Sequence, residues 1–136
     1  MGAWSSDPFG NDSACDWVYT LEETDDLSFI QSTLESVLLA GDDYLDSCEA
    51  EEAVAAADTL ARLKGRFSIQ NSYTESVDAW VAAHPITPPA SLINTALEAL
   101  ERIHTDPSEL LELWKDSDEF SVWMEHLNEL KERLKD

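Results

Sequence analysis

The sequence predicts an all-α fold: a single compact domain of about seven helices with an irregular N-terminal arm at residues 1–10. Three observations carry this. Apolar residues recur at i, i+3, i+4 and i+7 along most of the chain, the spacing of one helix face. No segment alternates long enough for a strand, and Phe67–Ile69 is too short to build a sheet. The 136 residues fit one domain, and a 43% hydrophobic content is too apolar for a disordered chain.

Each element follows in order. Gly2, Pro8 and Gly10 break up the arm, and Trp4 and Phe9 are expected to tuck onto the body. Asn11 or Asp12 caps a helix whose apolar face is Ala14, Trp17, Val18 and Leu21. Asp25-Asp26 restart the chain as a second helix with the stripe Leu27, Ile30, Leu34, Val37, Leu38, and Gly41 follows as its C′ residue. Asp42 to Asp46 form an acidic connector. A third helix runs from Ser47 to Lys64 with the small-residue face Ala50, Ala53, Val54, Ala57, Leu60, Ala61. Gly65 ends it, with Arg62 and Lys64 in the last turn, where cations suit the helix dipole. Ser72 and Glu75 have capping-box spacing before a short helix with Val77, Trp80 and Val81, stopped by His84-Pro85. Pro88-Pro89 opens a fifth helix bearing Leu92, Ile93, Ala96, Leu97, Leu100 and Ile103. Asp106-Pro107 reads as the cap and first turn of a sixth, with Leu110, Leu113 and Trp114. The last carries Phe120, Trp123, Met124, Leu127, Leu130 and Leu134, and pairs Glu129 with Arg133 on its exposed side.

Charge is the unusual feature. The chain has 29 Asp and Glu against 8 Lys and Arg, a net −21. Met1 to Ala61 holds 15 acids and no Lys, Arg or His; Arg62 to Asp136 holds the other 14 acids and every base. Such a field repels nucleic acid and anionic membranes and attracts cationic surfaces. The plainer account is solubility. The acids are densest at Asp42, Asp43, Asp46, Glu49, Glu51 and Glu52, a cluster spanning a helix start, where the dipole tolerates them. It reads either as that tolerance, as a docking surface for a cationic protein partner, or as a Ca²⁺ site.

Catalytic and metal motifs are weak. Asp42-Asp43-Tyr44-Leu45-Asp46 spells D-D-x-x-D, which all-helical isoprenoid synthases use to hold Mg²⁺. The larger barrel and second metal motif of those enzymes are missing, as are the turning Gly and closing Glu of an EF-hand. Glu101 and His104 form one E-x-x-H, half of a di-iron site, with no second copy. No nucleophile elbow or glycine-rich phosphate loop occurs. Cys15 sits among acids that would raise its pKa, and both it and Cys48 are expected to be free and buried. No catalytic residue, metal ligand or cofactor is therefore predicted. No signal peptide or membrane span is visible, and a cytoplasmic location is expected. The N-terminal Met1-Gly2 with Ser6 fits a myristoylation pattern but lacks a basic patch to support it.

Met1-Gly2-Ala3-Trp4, Pro8-Phe9, Asn11-Asp12, Ala14 and Asp16-Trp17 resemble the opening of a bacterial family classed as domain of unknown function 4259. The resemblance continues at Tyr44-Leu45, Glu51–Ala57, Ser108-Glu109-Leu110 and Glu112-Leu113-Trp114. It implies a helical domain of about this length and no activity. Ser5 and Asp7 depart from the family's glycines, so the arm could bend differently. Trp4, Pro8, Phe9, Asn11, Asp12 and Trp17 read as a packed arm and helix cap, with a ligand or partner contact as the alternative.

These features point to binding rather than catalysis. The expected function is a small acidic protein-binding module, in its most concrete form an immunity protein neutralising a cationic toxin domain. A carboxylate-based metal protein or enzyme (Asp42, Asp43, Glu101, His104) and a helical adaptor are the alternatives.

Overall fold

The computed structural model describes residues 7–67 and 70–135. It holds seven helices and, among the described residues, no strand: α1 (Asp12–Leu21), α2 (Ser28–Leu39), α3 (Ser47–Leu63), α4 (Glu75–Ala83), α5 (Ala90–Ile103), α6 (Glu109–Lys115) and α7 (Phe120–Leu134). The helix α3 is the centre, and each of the other six packs against it. Its composition explains why. Alanines 50, 53, 55, 56, 57 and 61 are all fully buried, and side chains this small let neighbours close in from every side. The sequence suggests one small-residue face; in fact every residue from Ala53 to Arg62 is buried, as expected of a helix enclosed by its own domain.

Local chemistry sets the boundaries. Asn11, not Asp12, caps α1: its Oδ1 accepts from the Ala14 amide at 2.7 Å. Asp26 Oδ1 accepts from both the amide and the hydroxyl of Ser28, which starts α2 and holds the Asp26 carboxyl below its ordinary pKa. Gly41 follows α2 at φ +55°, as its C′ position requires. After α3, Gly65 at φ +82° donates to the Arg62 carbonyl while Arg66 donates to that of Ala61, the paired bonds of a Schellman turn.

Two expected caps are different residues. The predicted Ser72–Glu75 box does not form, because Thr74 is the residue that flanks α4. Its hydroxyl accepts from the Asn71 amide, and Asn71 Oδ1 accepts from that of Tyr73, so a turn built on Asn71 precedes the helix. Ser108 rather than Asp106 caps α6; its Oγ accepts from the Leu111 amide and donates to the Ile103 carbonyl. Asp106–Pro107 is a cis bond in the loop before it.

Of the arm, Trp4 and Ser5 lie outside the described residues, as does the myristoylation pattern. Phe9 is buried as expected, at the end of a turn closed by the Gly10 amide on the Asp7 carbonyl. Asp7 takes no left-handed backbone angle, so losing the family's glycine there costs no strain.

Candidate functional site

The acidic connector is held, not loose. Leu45 donates its amide to the Pro107 carbonyl at 3.1 Å and accepts from the Glu109 amide at 2.9 Å. The Arg102 guanidinium, reaching from α5, donates to the carbonyls of Gly41, Asp43, Thr105 and Pro107. Tyr44 donates its hydroxyl to Glu112 at 2.9 Å; that bond, ahead of burial and nearby carboxylates, pushes its pKa up to about 12. Asp42 and Asp43 are thereby presented on an anchored loop, both exposed.

The six clustered acids then divide. Asp42, Asp43, Asp46 and Glu49 are exposed, with Asp46 also capping α3 through the Cys48 amide at 2.6 Å. Glu51 is buried and Glu52 half-buried, because helical spacing turns those two positions toward the body. Burial chiefly raises the Glu51 pKa, against the pull of a Ser13 hydrogen bond, with Asp12, Asp46 and Glu109 adding to the rise. Burial also leads for Glu52, followed by Glu49, Asp46 and Asp16. Carboxylates from α1, α3 and α6 thus crowd one face closely enough to add to the rise that burial causes at Glu51 and Glu52.

No cation relieves them. Among the described residues, Asp12, Asp16, Asp42, Asp43, Asp46, Glu49 and Glu52 form no ion pair. All eight Lys and Arg side chains meanwhile bond to this chain's own groups. Arg62 and Arg133 meet Asp58 in the interior. Arg62 also reaches Asp78 at 2.5 Å and lies over the rings of Phe9 and Phe67. Lys64 and Arg66 donate to carbonyls at the end of α7. Arg102 grips the connector, Lys131 bonds Glu101 at 2.7 Å, and Lys115 and Lys135 pair with Asp106 and Glu132.

This interior cluster escapes the sequence reading, which places Arg62 at the helix end for its dipole and Arg133 on an exposed side. Asp58 is fully buried, Arg62 1% and Arg133 9% exposed. The Glu129–Arg133 pair does form, at 2.7 Å, but as the rim of the buried group. The available signal was Asp58 and Arg62 at i, i+4 as charges within an alanine-rich run.

The half di-iron motif holds a lysine. Lys131 Nζ sits 2.7 Å from Glu101 Oε1 and 2.6 Å from His104 Nε2, and its hydrogen bond holds the Glu101 pKa down. Among the described residues no three His, Cys, Asp or Glu side chains are grouped to hold a metal ion. The thiols are free. Cys15 is half-buried and its pKa is raised, by burial and then by Asp12 and Asp16; Cys48 is exposed, contrary to expectation, because it lies in the outward first turn of α3.

The opening motif is mostly interior. Asn11 is buried as the cap, and its Nδ2 donates to the Pro8 carbonyl at 3.4 Å. Asp12 is exposed on the acidic face. Asp7, Pro8 and Asn11 close over Glu51, Trp114, Trp123 and His126 around a cavity of about 20 Å³, room for no more than a water molecule. Trp17 is buried, donates its indole N–H to Thr33 Oγ1 at 2.8 Å and stacks on Phe29 with centroids 5.2 Å apart. Beside that stack an open groove of about 320 Å³ runs between α1 and α2, with Glu52 at one wall.

Fold and face together define an all-α domain with a cluster of carboxylates on α1, the connector and early α3 that forms no ion pair among the described residues. The family of this chain is Domain of unknown function (DUF4259), whose model matches residues 2–126, and the chain belongs to it. No curated protein and no solved structure matches the chain. Among the described residues no helix is long and apolar enough to cross a membrane.

Proposed function

We propose that this domain is a protein-binding module whose acidic face, from α1 across the connector to the start of α3, docks a cationic protein. The observation that supports the reading is the division of charge. Every Lys and Arg side chain is engaged by the chain's own groups, while Asp12, Asp16, Asp42, Asp43, Asp46, Glu49 and Glu52 have no cation of their own. A basic partner gains attraction over a wide face and relieves repulsion already present. The same field disfavours nucleic acid and anionic membranes. The finer form of the reading is a cytoplasmic immunity protein that covers the basic active site of a toxin domain.

The test is retention of a partner on immobilised protein from a lysate of the organism that encodes it. A single cationic protein should be held at low salt and released near ~0.5 M, where screening shortens to a few ångströms. The triple variant Asp42→Asn/Asp43→Asn/Glu49→Gln should capture it more slowly. Retention insensitive to salt and to the variant refutes electrostatic docking. For the immunity form, the partner should be a toxin domain whose activity this protein abolishes.

A further inference from the structure

We infer that His84 is a proton-operated clasp: its imidazolium ties the acid-rich turn between α1 and α2 to the end of α4, and loss of one proton loosens that turn.

The ring's place follows from the sequence. Pro85 disfavours helical angles at the residue before it, so α4 ends at His84, whose backbone turns away at φ −129° and ψ 72°. The side chain folds back along the helix and stacks on the Trp80 indole, with ring centroids 4.5 Å apart. Its Nδ1 is then 2.9 Å from the Trp80 carbonyl oxygen, and its Nε2 is 3.2 Å from Asp25 Oδ1. Trp80 engages the same turn, donating its indole N–H to the Thr24 carbonyl at 2.9 Å.

The two acceptors decide the protonation state. A backbone carbonyl and a carboxylate only accept hydrogen bonds, so both contacts are bonds only when both ring nitrogens carry hydrogen. That is the imidazolium. Its charge also lies over an indole ring, which favours a cation. The bond to the Trp80 carbonyl, then that to Asp25, raise the imidazole above its ordinary 6.5. A neutral ring keeps one hydrogen. The shorter, part-buried contact to Trp80 holds it at Nδ1, and an Nε2 lone pair then faces the Asp25 carboxylate. Attraction becomes repulsion at a single site.

The turn amplifies that reversal. Glu22, Glu23, Asp25 and Asp26 place four exposed carboxylates within five residues. Among the described residues, His84 is the one base that pairs with any of them. With His84 neutral the run repels itself, and only the Trp80 indole still joins it to α4. The sign follows from the raised folded value: the stability added by the clasp is complete below 6.5 and is lost as pH rises through the folded value.

The experiment is a pH titration of the intact ¹⁵N-labelled protein by NMR, reading the ring nitrogens of His84 and the amides of the turn. His84→Gln assigns the ring, since one of three histidine signals disappears. The expected midpoint lies above 6.5, with both ring nitrogens protonated below it and the hydrogen kept at Nδ1 above it. Asp25→Asn should lower the midpoint, and with that side chain 96% exposed the variant keeps the fold. The Thr24 amide bonds the Leu21 carbonyl and the Ser28 amide bonds Asp26, so both are slow to exchange only while the turn is ordered. Their protection, corrected for the intrinsic rise of exchange with pH, should fall through the His84 midpoint in the wild type and show no such step in His84→Gln. A midpoint at or below 6.5, an unchanged midpoint in Asp25→Asn, or the absence of the step in the wild type would each overturn the clasp.

Discussion

Asp58→Asn tests whether the interior charges of α3 and α7 behave as one unit. The substitution keeps shape and volume, so it opens no cavity; it removes one negative charge from a fully buried site. There the Asp58 carboxylate accepts from Arg62 Nε at 2.8 Å through one oxygen and from Arg133 Nη2 through the other. Arg62 retains Asp78 and Arg133 retains Glu129, but both remaining partners sit nearer solvent, their side chains 19% and 50% exposed. Two guanidinium groups are then left facing each other across a neutral amide. Breaking one member out of a buried ionic group costs about 3–5 kcal/mol, because the survivors stay buried and undercompensated. At a urea slope of about 2 kcal/mol per M, the unfolding midpoint should fall by roughly 2 M. Glu129→Gln, at the exposed rim, should cost no more than about 1 kcal/mol. Arg133→Met should be destabilising alone and close to neutral in the Asp58→Asn background, since it then removes the surplus charge. Equal small losses for Asp58→Asn and Glu129→Gln would mean that water screens the cluster, and the reasoning from burial would fail.

Three further outcomes follow from the same structure. Asn11→Ala removes the α1 cap, whose 2.7 Å bond to the Ala14 amide is buried, and should cost about 1 kcal/mol in the same urea assay; no change would show that the arm caps the helix by other means. Burial raises the Glu51 and Glu52 carboxyls above their ordinary 4.5, so each adds stability at low pH that is lost as pH rises through its higher folded value. The variant Glu51→Gln/Glu52→Gln should accordingly show a flatter fall in stability than wild type as pH rises above 4.5, and parallel curves would contradict the raised carboxyls. Native-state alkylation followed by peptide mass spectrometry should label exposed Cys48 well before Cys15, whose half-burial and raised pKa both suppress the thiolate; equal labelling would refute that difference.

What the sequence discloses and what it hides divide along physical lines. Helix periodicity is local, so the seven helices and their apolar stripes could be read directly, and Asn11, Gly41 and Gly65 mark ends through chemistry contained within a few residues. Caps such as Thr74 and Ser108 are less visible because nearby Ser72 and Asp106 offer equally plausible chemistry, and only the surrounding turn decides between them. Burial of charge is less legible still. Arg133 looks like half of a surface i, i+4 pair until α3 brings Asp58, 75 residues away in sequence, against it. The acidic cluster was legible as composition, but its split into outward Asp42, Asp43, Asp46 and Glu49 and inward Glu51 and Glu52 depends on how α3 is rotated against its neighbours.

The uneven charge also explains why the chain forms one unit. Residues up to Ala61 contain no cation, yet they carry Asp58 at the centre of the molecule and the carbonyl-rich turn around Gly41. Their counter-charges all come from later in the chain: Arg62 and Arg133 to Asp58, Arg102 to the connector, and His84 to Asp25 at 3.2 Å. The His84 contact, after its bond to the Trp80 carbonyl, raises that imidazole's pKa. The later half thus spends its strongest cations where geometry demands them, in the core and on backbone carbonyls. The carboxylates of α1, the connector and early α3 are left over by that allocation. The bases of this chain therefore hold its own core and turns together, and the carboxylates of α1, the connector and early α3 stay without them.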